Sequence, residues 1–199
     1  MTMEVITKTY PAPDVNVREA LRYAGCSGEN DEMLELFHSC VDEAESLLKY
    51  NVCYCVLDAK FRGITCDFGL FSVQSEKLAK NLSGCEYVLL FCATVGTALD
   101  RLIAKYVRLS PARAVMLQAL GAERVESLCN IFCKNFEEEN SVFLKPRFSP
   151  GYGDLSLDTQ KDIFSVLNCP KNIGVYLNDS LLMSPSKSVT AFAGIGGNI

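Results

Sequence analysis

One long amphipathic helix is predicted in the second half of the 199-residue chain, and it needs a core to pack against along its whole length. Ser110 followed by Pro111 is typical of a helix start, because proline fits the first helical position. Apolar residues then recur at helical spacing as far as about Glu139. The predicted buried stripe comprises Ala114, Leu117, Gly121, Val125, Leu128, Phe132 and Phe136.

Shorter helices and strands are predicted on both sides of this helix. The helical patterns cover residues 14–25, 30–49, 75–82, 97–107 and 156–167, with Asn30 as the predicted cap of the second. The strand patterns cover residues 51–60, 63–73, 85–94, 173–177 and 187–194. The stretch 85–94 is nearly all apolar, which indicates a strand covered on both faces. The first two strand segments are separated by a Phe-Arg-Gly break, so we predict a hairpin.

The order of these elements predicts an α+β fold. Helices and strands do not alternate strictly, and two hairpin-like strand pairs flank the helical middle, which favours a largely antiparallel sheet flanked by helices. No internal repeat or low-complexity linker interrupts the chain, so residues 1–199 are predicted to form a single domain.

The composition restricts the class of partner. Lys and Arg number 19 and Asp and Glu number 24, which gives a net charge of −5 and disfavours nucleic acid as a partner. No apolar run reaches the roughly 18 residues that span a bilayer. The first ten residues lack the basic start and apolar stretch of a signal peptide. We therefore expect a cytoplasmic protein without a membrane partner.

The chain contains ten cysteines, which we expect to be reduced because no signal peptide directs them to an oxidising compartment. Cys53 and Cys55 flank Tyr54 on one face of a predicted strand, and Cys66 follows, so a metal site is one interpretation. The chain has no CxxC sequence, however, and its one histidine, His38, lies beside the apolar stripe of a helix. We predict no metal site and a structural role for His38.

No catalytic motif is present: the sequence lacks GxSxG, Walker A, HExxH and GxGxxG patterns, so we predict no catalytic residue. The informative segment is 143–154, which combines two prolines and two glycines with aromatic and cationic side chains. Arg147, next to a Pro-Gly turn and Tyr152, can bind a carboxylate through two parallel hydrogen bonds. A surface turn with Arg147 in solvent fits the composition equally well.

Three segments together resemble the activation domain of cobalamin-dependent methionine synthase and occur in that domain's order. They are Gly121-Ala-Glu123-Arg124-Val-Glu126, Arg147-x-Ser149-Pro150-Gly151-Tyr152 and Met183-Ser-Pro185-Ser-Lys-Ser188-Val189. Residues 17–25 and 93–103 further resemble short, free-standing relatives of that domain. The resemblance covers nearly the whole chain, and the last two motifs are specific as a pair.

The resemblance implies an α+β fold that binds S-adenosylmethionine. By this resemblance Arg147 meets the methionyl carboxylate, Tyr152 lies at the ligand, and Ser149 contacts the ligand through its backbone. Gly151 belongs to the same ligand loop. No cobalamin site is implied within the chain itself, so cobalamin is expected only through a partner protein.

Two further positions follow from the resemblance. Glu123 matches an acidic helix position near the ligand's ammonium end. The family's acidic residue one turn later is Ser127 here, so either Glu126 substitutes for it or that contact is lost. The family has an aromatic pair after its Ser-Val sequence. This chain has Phe192 and Ala193, so the tyrosine that faces the ligand in the family is absent.

The function that the resemblance implies is reductive methylation of the cobalamin of a separate methionine synthase, in methionine biosynthesis. The chain would be an accessory module of this methyltransferase rather than a complete enzyme, with flavodoxin as a possible electron donor. Two alternatives stay open. One is a non-enzymatic structural or assembly subunit of a shortened methionine synthase, and the other is a reactivator of a different corrinoid protein.

Overall fold

The computed structural model describes residues 4–26 and 31–196. The helices are α1 (Val17–Tyr23), α2 (Asp31–Ala44), α3 (Glu76–Asn81), α4 (Ala98–Leu109), α5 (Pro111–Asn140), α6 (Thr159–Leu167) and α7 (Cys169–Ile173), with a short 3-10 turn at Glu45–Leu47 after α2. The strands are β1 (Ile6–Tyr10), β2 (Tyr50–Asp58), β3 (Lys60–Arg62), β4 (Thr65–Asp67), β5 (Ser72–Gln74), β6 (Tyr87–Thr94), β7 (Phe143–Leu144), β8 (Tyr176–Leu177), β9 (Met183–Ser184) and β10 (Ser188–Gly196).

A five-stranded sheet forms the centre of the molecule, with the order β1-β2-β6-β10-β7. Every neighbouring pair in it is antiparallel. Two small antiparallel sheets accompany it, β3-β4-β5 and β8-β9. The predicted α+β fold with a largely antiparallel sheet flanked by helices is therefore confirmed.

Both faces of the central sheet are buried. Successive side chains of a strand point to opposite sides of the sheet, so alternate residues belong to different cores. On β6, Leu89, Phe91 and Ala93 belong to a core shared with α1, α2, α4 and α5. Their neighbours Val88, Leu90 and Cys92 belong to a second core that includes residues of α3, α6 and the β3-β4-β5 sheet. The near-continuous apolar sequence of β6 thus has the predicted cause.

Helix α5 runs from Pro111 to Asn140, as predicted from the sequence to within one residue at its end. Each residue of the predicted stripe is buried. The Phe132 ring centroid lies 5.0 Å from that of Phe91 and 5.1 Å from that of Tyr54, so the helix is fixed on the sheet by aromatic contacts. Within residues 4–26 and 31–196, no helix combines the length and apolarity needed to cross a membrane.

Two strand predictions are wrong in part. Residues 51–60 do not form a hairpin with 63–73: β2 pairs with β1 and β6, and the actual hairpin joins β3 to β4. The segment 173–177 contains the end of α7 and only a two-residue strand, β8, which pairs with β9 rather than with β10. In both regions the local composition favours strands, but composition does not select the partner: β2 pairs with distant strands, whereas β8 pairs with the adjacent β9.

Two helix starts also differ from prediction. Helix α1 begins at Val17 rather than near Asp14, because the Asn16 side chain caps it by accepting a hydrogen bond from the Glu19 amide at 3.1 Å. Helix α6 begins at Thr159 rather than at Ser156. The predicted cap of α2, Asn30, lies outside the described residues.

Candidate functional site

Arg147 is placed at the edge of the central sheet by its neighbour Phe148. The backbone of Phe148 exchanges two hydrogen bonds with Phe192 of β10, each 2.9 Å long. One residue further along this antiparallel pairing, Arg147 lies opposite Ala193. Ala193 belongs to the core on the α5 side of the sheet, so the Arg147 side chain is directed toward α5.

The segment that carries Arg147, loop 145–154, is fastened to both ends of α3. The Asp154 carboxylate accepts hydrogen bonds from the Ser75 hydroxyl at 2.5 Å and from the Glu76 amide at 2.7 Å. At the other end of α3, the Asn81 side-chain amide donates to the carbonyl of Pro146 at 3.2 Å. A segment without regular secondary structure is thereby held in one conformation.

The Pro-Gly turn of this loop requires a glycine. Gly151 has φ of +83°, a left-handed conformation that side chains with a Cβ rarely adopt. Its amide donates to the Leu155 carbonyl at 2.9 Å, and the Tyr152 amide donates to the Ser149 carbonyl at 3.1 Å. The Tyr152 ring is 68% exposed and meets Phe148 edge to face, with the ring centroids 5.4 Å apart. The turn therefore presents an aromatic surface to solvent in the same loop as Arg147.

Two side chains of α5 bind the Arg147 guanidinium. One terminal nitrogen donates to Glu126 at 2.7 Å and the other donates to the side-chain oxygen of Asn130 at 2.9 Å. Glu126 and Asn130 are four residues apart and so share one face of the helix. These bonds use two of the five guanidinium N–H groups. The side chains of Arg147 and Glu126 are 25% and 40% exposed, so the pair remains accessible to solvent.

The surroundings of this pair are neutral thiols and a tyrosine. Burial raises the pKa of the Cys129 thiol and, likewise, that of Cys133, so both are protonated near neutral pH. Burial lowers the pKa of the Arg147 guanidinium, but the neighbouring groups, Glu126 among them, together raise it by more, and the group stays charged. Burial and then the Glu126 carboxylate raise the pKa of Tyr23 of α1.

Glu123 lies away from Arg147, in a buried network of its own. Its carboxylate accepts two hydrogen bonds from Arg124, at 2.5 and 2.8 Å, and one from the Ser127 hydroxyl at 2.6 Å. Arg124 also donates to the carbonyls of Pro13 and Asp14, at 2.5 and 2.7 Å. The pair is 1–2% exposed and joins the segment before α1 to α5.

Of the six residues selected from the sequence, the structure brings Arg147 and Glu126 into direct contact. Arg147, Ser149, Gly151 and Tyr152 share one loop, and Glu126 lies beside Arg147 on α5. Glu123 occupies a separate position. The sequence reasoning missed Asn130 and Asp154. For Asn130 the available signal was its spacing of one helical turn from Glu126, whereas nothing near Asp154 in the sequence points to α3.

Among the residues that the structure describes, no group of three or more histidine, cysteine or acidic side chains is arranged to hold a metal ion.

The architecture matches a solved structure. The crystal structure of the MetH reactivation domain bound to AdoHcy superposes with a TM-score of 0.73, over 96% of this chain and 78% of that chain, at 15% sequence identity. The chain has the fold of the MetH reactivation domain. No protein-family model and no curated protein sequence matches it.

Proposed function

We propose that this chain is an S-adenosylmethionine-binding module that supports reductive methylation of the cobalamin of a separate methionine synthase. The observation that carries the proposal is the accessible Arg147–Glu126 pair in a chain whose fold matches a domain solved with AdoHcy. AdoHcy and S-adenosylmethionine both end in an amino acid with a carboxylate and an ammonium group. A neighbouring cation and anion are the complement of that end.

The amino-acid end of the ligand binds by exchanging partners with the protein pair. Its carboxylate accepts hydrogen bonds from the Arg147 guanidinium, and its ammonium group donates to Glu126. Opening the protein pair costs little, since partly exposed ion pairs contribute about 0.2–1 kcal/mol. The two bonds to the ligand replace one protein bond of the same charge-assisted kind, so the exchange adds a hydrogen bond and favours binding.

The adenosine end depends on Tyr152. Ala193 is completely buried and offers the ligand no surface, unlike the aromatic residue that the family resemblance leads one to expect there. The exposed Tyr152 ring, supported by Phe148, is the aromatic surface of the loop that carries Arg147. We assign the contact with the flat adenine ring to Tyr152.

The module acts in trans on a cytoplasmic partner. Its residues bind and orient the sulfonium ligand, while cobalamin, bound to a methionine synthase core or another corrinoid protein, supplies the metal that accepts the methyl group. Loop 145–154 lies beside β10 and includes the exposed residue Tyr152, as docking to a corrinoid requires. The electron comes from a separate donor, for which a flavodoxin is the expected class.

Calorimetry with AdoHcy and with adenosine, which lacks the amino-acid end, tests the binding step. We expect AdoHcy to bind and adenosine to bind at least tenfold more weakly, because only AdoHcy engages both Arg147 and Glu126. Equal affinities would exclude the proposed contact. Absence of AdoHcy binding, with stable association to a methionine synthase core, would instead support the assembly-subunit alternative.

The second step is tested with an oxidised cobalamin-dependent methionine synthase core, S-adenosylmethionine and a reductant. Addition of the chain should speed the recovery of methionine synthesis, whereas the chain alone should form no methionine. If recovery is unchanged with a methionine synthase core and is faster with another corrinoid protein, the partner in this proposal is wrong.

A further inference from the structure

A cavity lies away from loop 145–154, in a groove between α4 and α5. Its volume is about 530 Å³, within the range of sites that bind small molecules. The lining residues are Tyr23, Ile103, Val107, Pro111, Ala114, Val115, Gln118, Ala119, Ala122 and Lys187. We call this the α4–α5 groove. Val107 and Val115 are 57% and 50% exposed, so apolar surface faces solvent here.

Lys187 is the single charged side chain among these lining residues. Its stem crosses α5 at Gly121, where an added Cβ would lie 2.8 Å from the Lys187 Cγ and 2.4 Å from a methyl group of Leu99. Glycine within a helix costs about 1 kcal/mol relative to alanine. The glycine at this position therefore makes room for both the α4 contact and the lysine stem.

The Lys187 ammonium group has no protein counter-ion in hydrogen-bond contact. Among residues 4–26 and 31–196 it makes no hydrogen bond or ion pair, and burial lowers its pKa although Asp100 lies near enough to oppose the effect. The Asp100 carboxylate is occupied by Ser186, whose amide donates at 2.8 Å and whose hydroxyl donates at 2.5 Å. A half-buried cation thus stands in an apolar groove without a bonded anion.

We infer that the α4–α5 groove binds a small apolar molecule that carries one carboxylate, such as a medium-chain fatty acid. The carboxylate pairs with the Lys187 ammonium group, and the apolar body covers the valine and alanine side chains of the groove. From Pro111 to Ala122, α5 extends about 16 Å, which accommodates an extended chain of ten carbons. Ligands with several charges are disfavoured, because the lining offers one cation and little else that is polar.

This inference goes beyond the proposed function, since Arg147 and the other residues of loop 145–154 do not line the groove. One electrostatic link exists, because Tyr23 lines the groove and the Glu126 carboxylate contributes to the raised pKa of Tyr23.

Calorimetry with decanoate, and with decanol as a neutral probe of the same length, tests the assignment on the full chain. We expect decanoate to bind the wild type more tightly than decanol does. Lys187→Met should weaken decanoate binding by about tenfold, as loss of a charge-assisted hydrogen bond implies, and should leave decanol binding unchanged. Lys187→Arg should restore most of the decanoate affinity, and Lys171→Met, at an exposed lysine of α7, is the matched control.

A thermal melt of each variant confirms that it folds, and the titration is repeated with saturating AdoHcy. We expect the decanoate affinity to be the same with and without AdoHcy. Competition between decanoate and AdoHcy would contradict the inference that the α4–α5 groove is a separate site. No decanoate binding to the wild type, or equal loss with Lys171→Met, would also overturn it. AdoHcy binding is measured in parallel, so that a failure of decanoate binding can be distinguished from a failure of the proposed function.

Discussion

Arg147 is held between Glu126 and Asn130 before any ligand arrives, so its guanidinium is already positioned at the sheet edge. Arg147→Ala should weaken AdoHcy binding roughly tenfold to a hundredfold, as expected for the loss of about 1.5–3 kcal/mol of charge-assisted hydrogen bonding. Arg147→Lys should recover only part of the affinity, because an ammonium group lacks the planar arrangement of donors. Calorimetry measures both effects.

The matched control for this prediction is Arg62→Ala, at an exposed arginine of the small β3-β4-β5 sheet, which should bind AdoHcy like the wild type. The free energy of unfolding should change little in both alanine variants, because neither arginine side chain lies in the core. Unchanged binding in Arg147→Ala would show that loop 145–154 is not the ligand site.

Asp154 connects this loop to α3, and its connection depends on pH. The hydrogen bond from the Ser75 hydroxyl, together with those from the Glu76 and Lys77 amides, holds the pKa of Asp154 below its usual value. A carboxyl group with a lowered pKa stabilises the fold above its ordinary titration range, and this contribution disappears as the pH falls through the lowered pKa. The loop should therefore loosen only in acid, below the usual aspartate range near pH 3.9.

Asp154→Asn should reproduce this loosening at neutral pH. Hydrogen exchange at the Glu76 and Lys77 amides should become faster in the variant, and AdoHcy affinity should fall severalfold because the loop is less restrained. Asp158→Asn is the control, since Asp158 is exposed and pairs locally with Lys161. Equal exchange rates in the wild type and in Asp154→Asn would contradict the role assigned to this carboxylate.

At the scale of elements, the buried Glu123–Arg124 pair fixes α1 and the preceding segment to α5. Arg124→Met should destabilise the protein by about 3–5 kcal/mol, because it leaves the Glu123 carboxylate buried without a cation. The double variant Glu123→Gln, Arg124→Met should be less destabilised than the single variant. Urea denaturation measures both, and a loss below about 1 kcal/mol in Arg124→Met would show that the carboxylate finds another partner.

The sequence predicts those elements whose pattern is local. Helix α5 and strand β6 follow from the Ser110-Pro111 start, the apolar stripe and an apolar run, and their burial agrees with these patterns. The partners of β2 were not predictable, because β1 and β6 lie about 40 residues away on either side and hydrophobic pattern alone does not select among strands. The position of Glu123 was also hidden, since its partner Arg124 is fixed by the carbonyls of Pro13 and Asp14, which lie about 110 residues away in the sequence.

Loop 145–154 also combines features that the sequence predicts with features that it does not. Its turn residues and its arginine are visible in the sequence, because glycine and proline have fixed conformational roles. Its orientation is determined by α3 and β10, which are distant in sequence and contact it through Asp154, Asn81 and Phe192. The chemistry of the site was therefore predictable, and its geometry was not.

At the scale of the whole molecule, the two cores determine which thiols react. The ten cysteines are free, with eight buried and two, Cys26 and Cys133, partly exposed. We expect a thiol reagent to modify these two first in the native protein and all ten after denaturation without reductant. Cys26 should react faster than Cys133, whose pKa is raised by burial. Mass spectrometry after timed alkylation gives the order, and rapid labelling of Cys92 in the native protein would contradict the buried second core.

Strand β10 follows every other described element in the chain, yet it lies between β6 and β7 in the sheet. During synthesis, β6 emerges about a hundred residues before its partner, so one edge of the growing sheet stays unpaired until residue 196 has been made. The site at Phe148 also depends on β10 and forms in the same late step. A ribosome-bound chain ending before Ser188 should consequently be sensitive to protease and retain chaperones. Ligand binding should begin only after β10 has emerged and paired with β6.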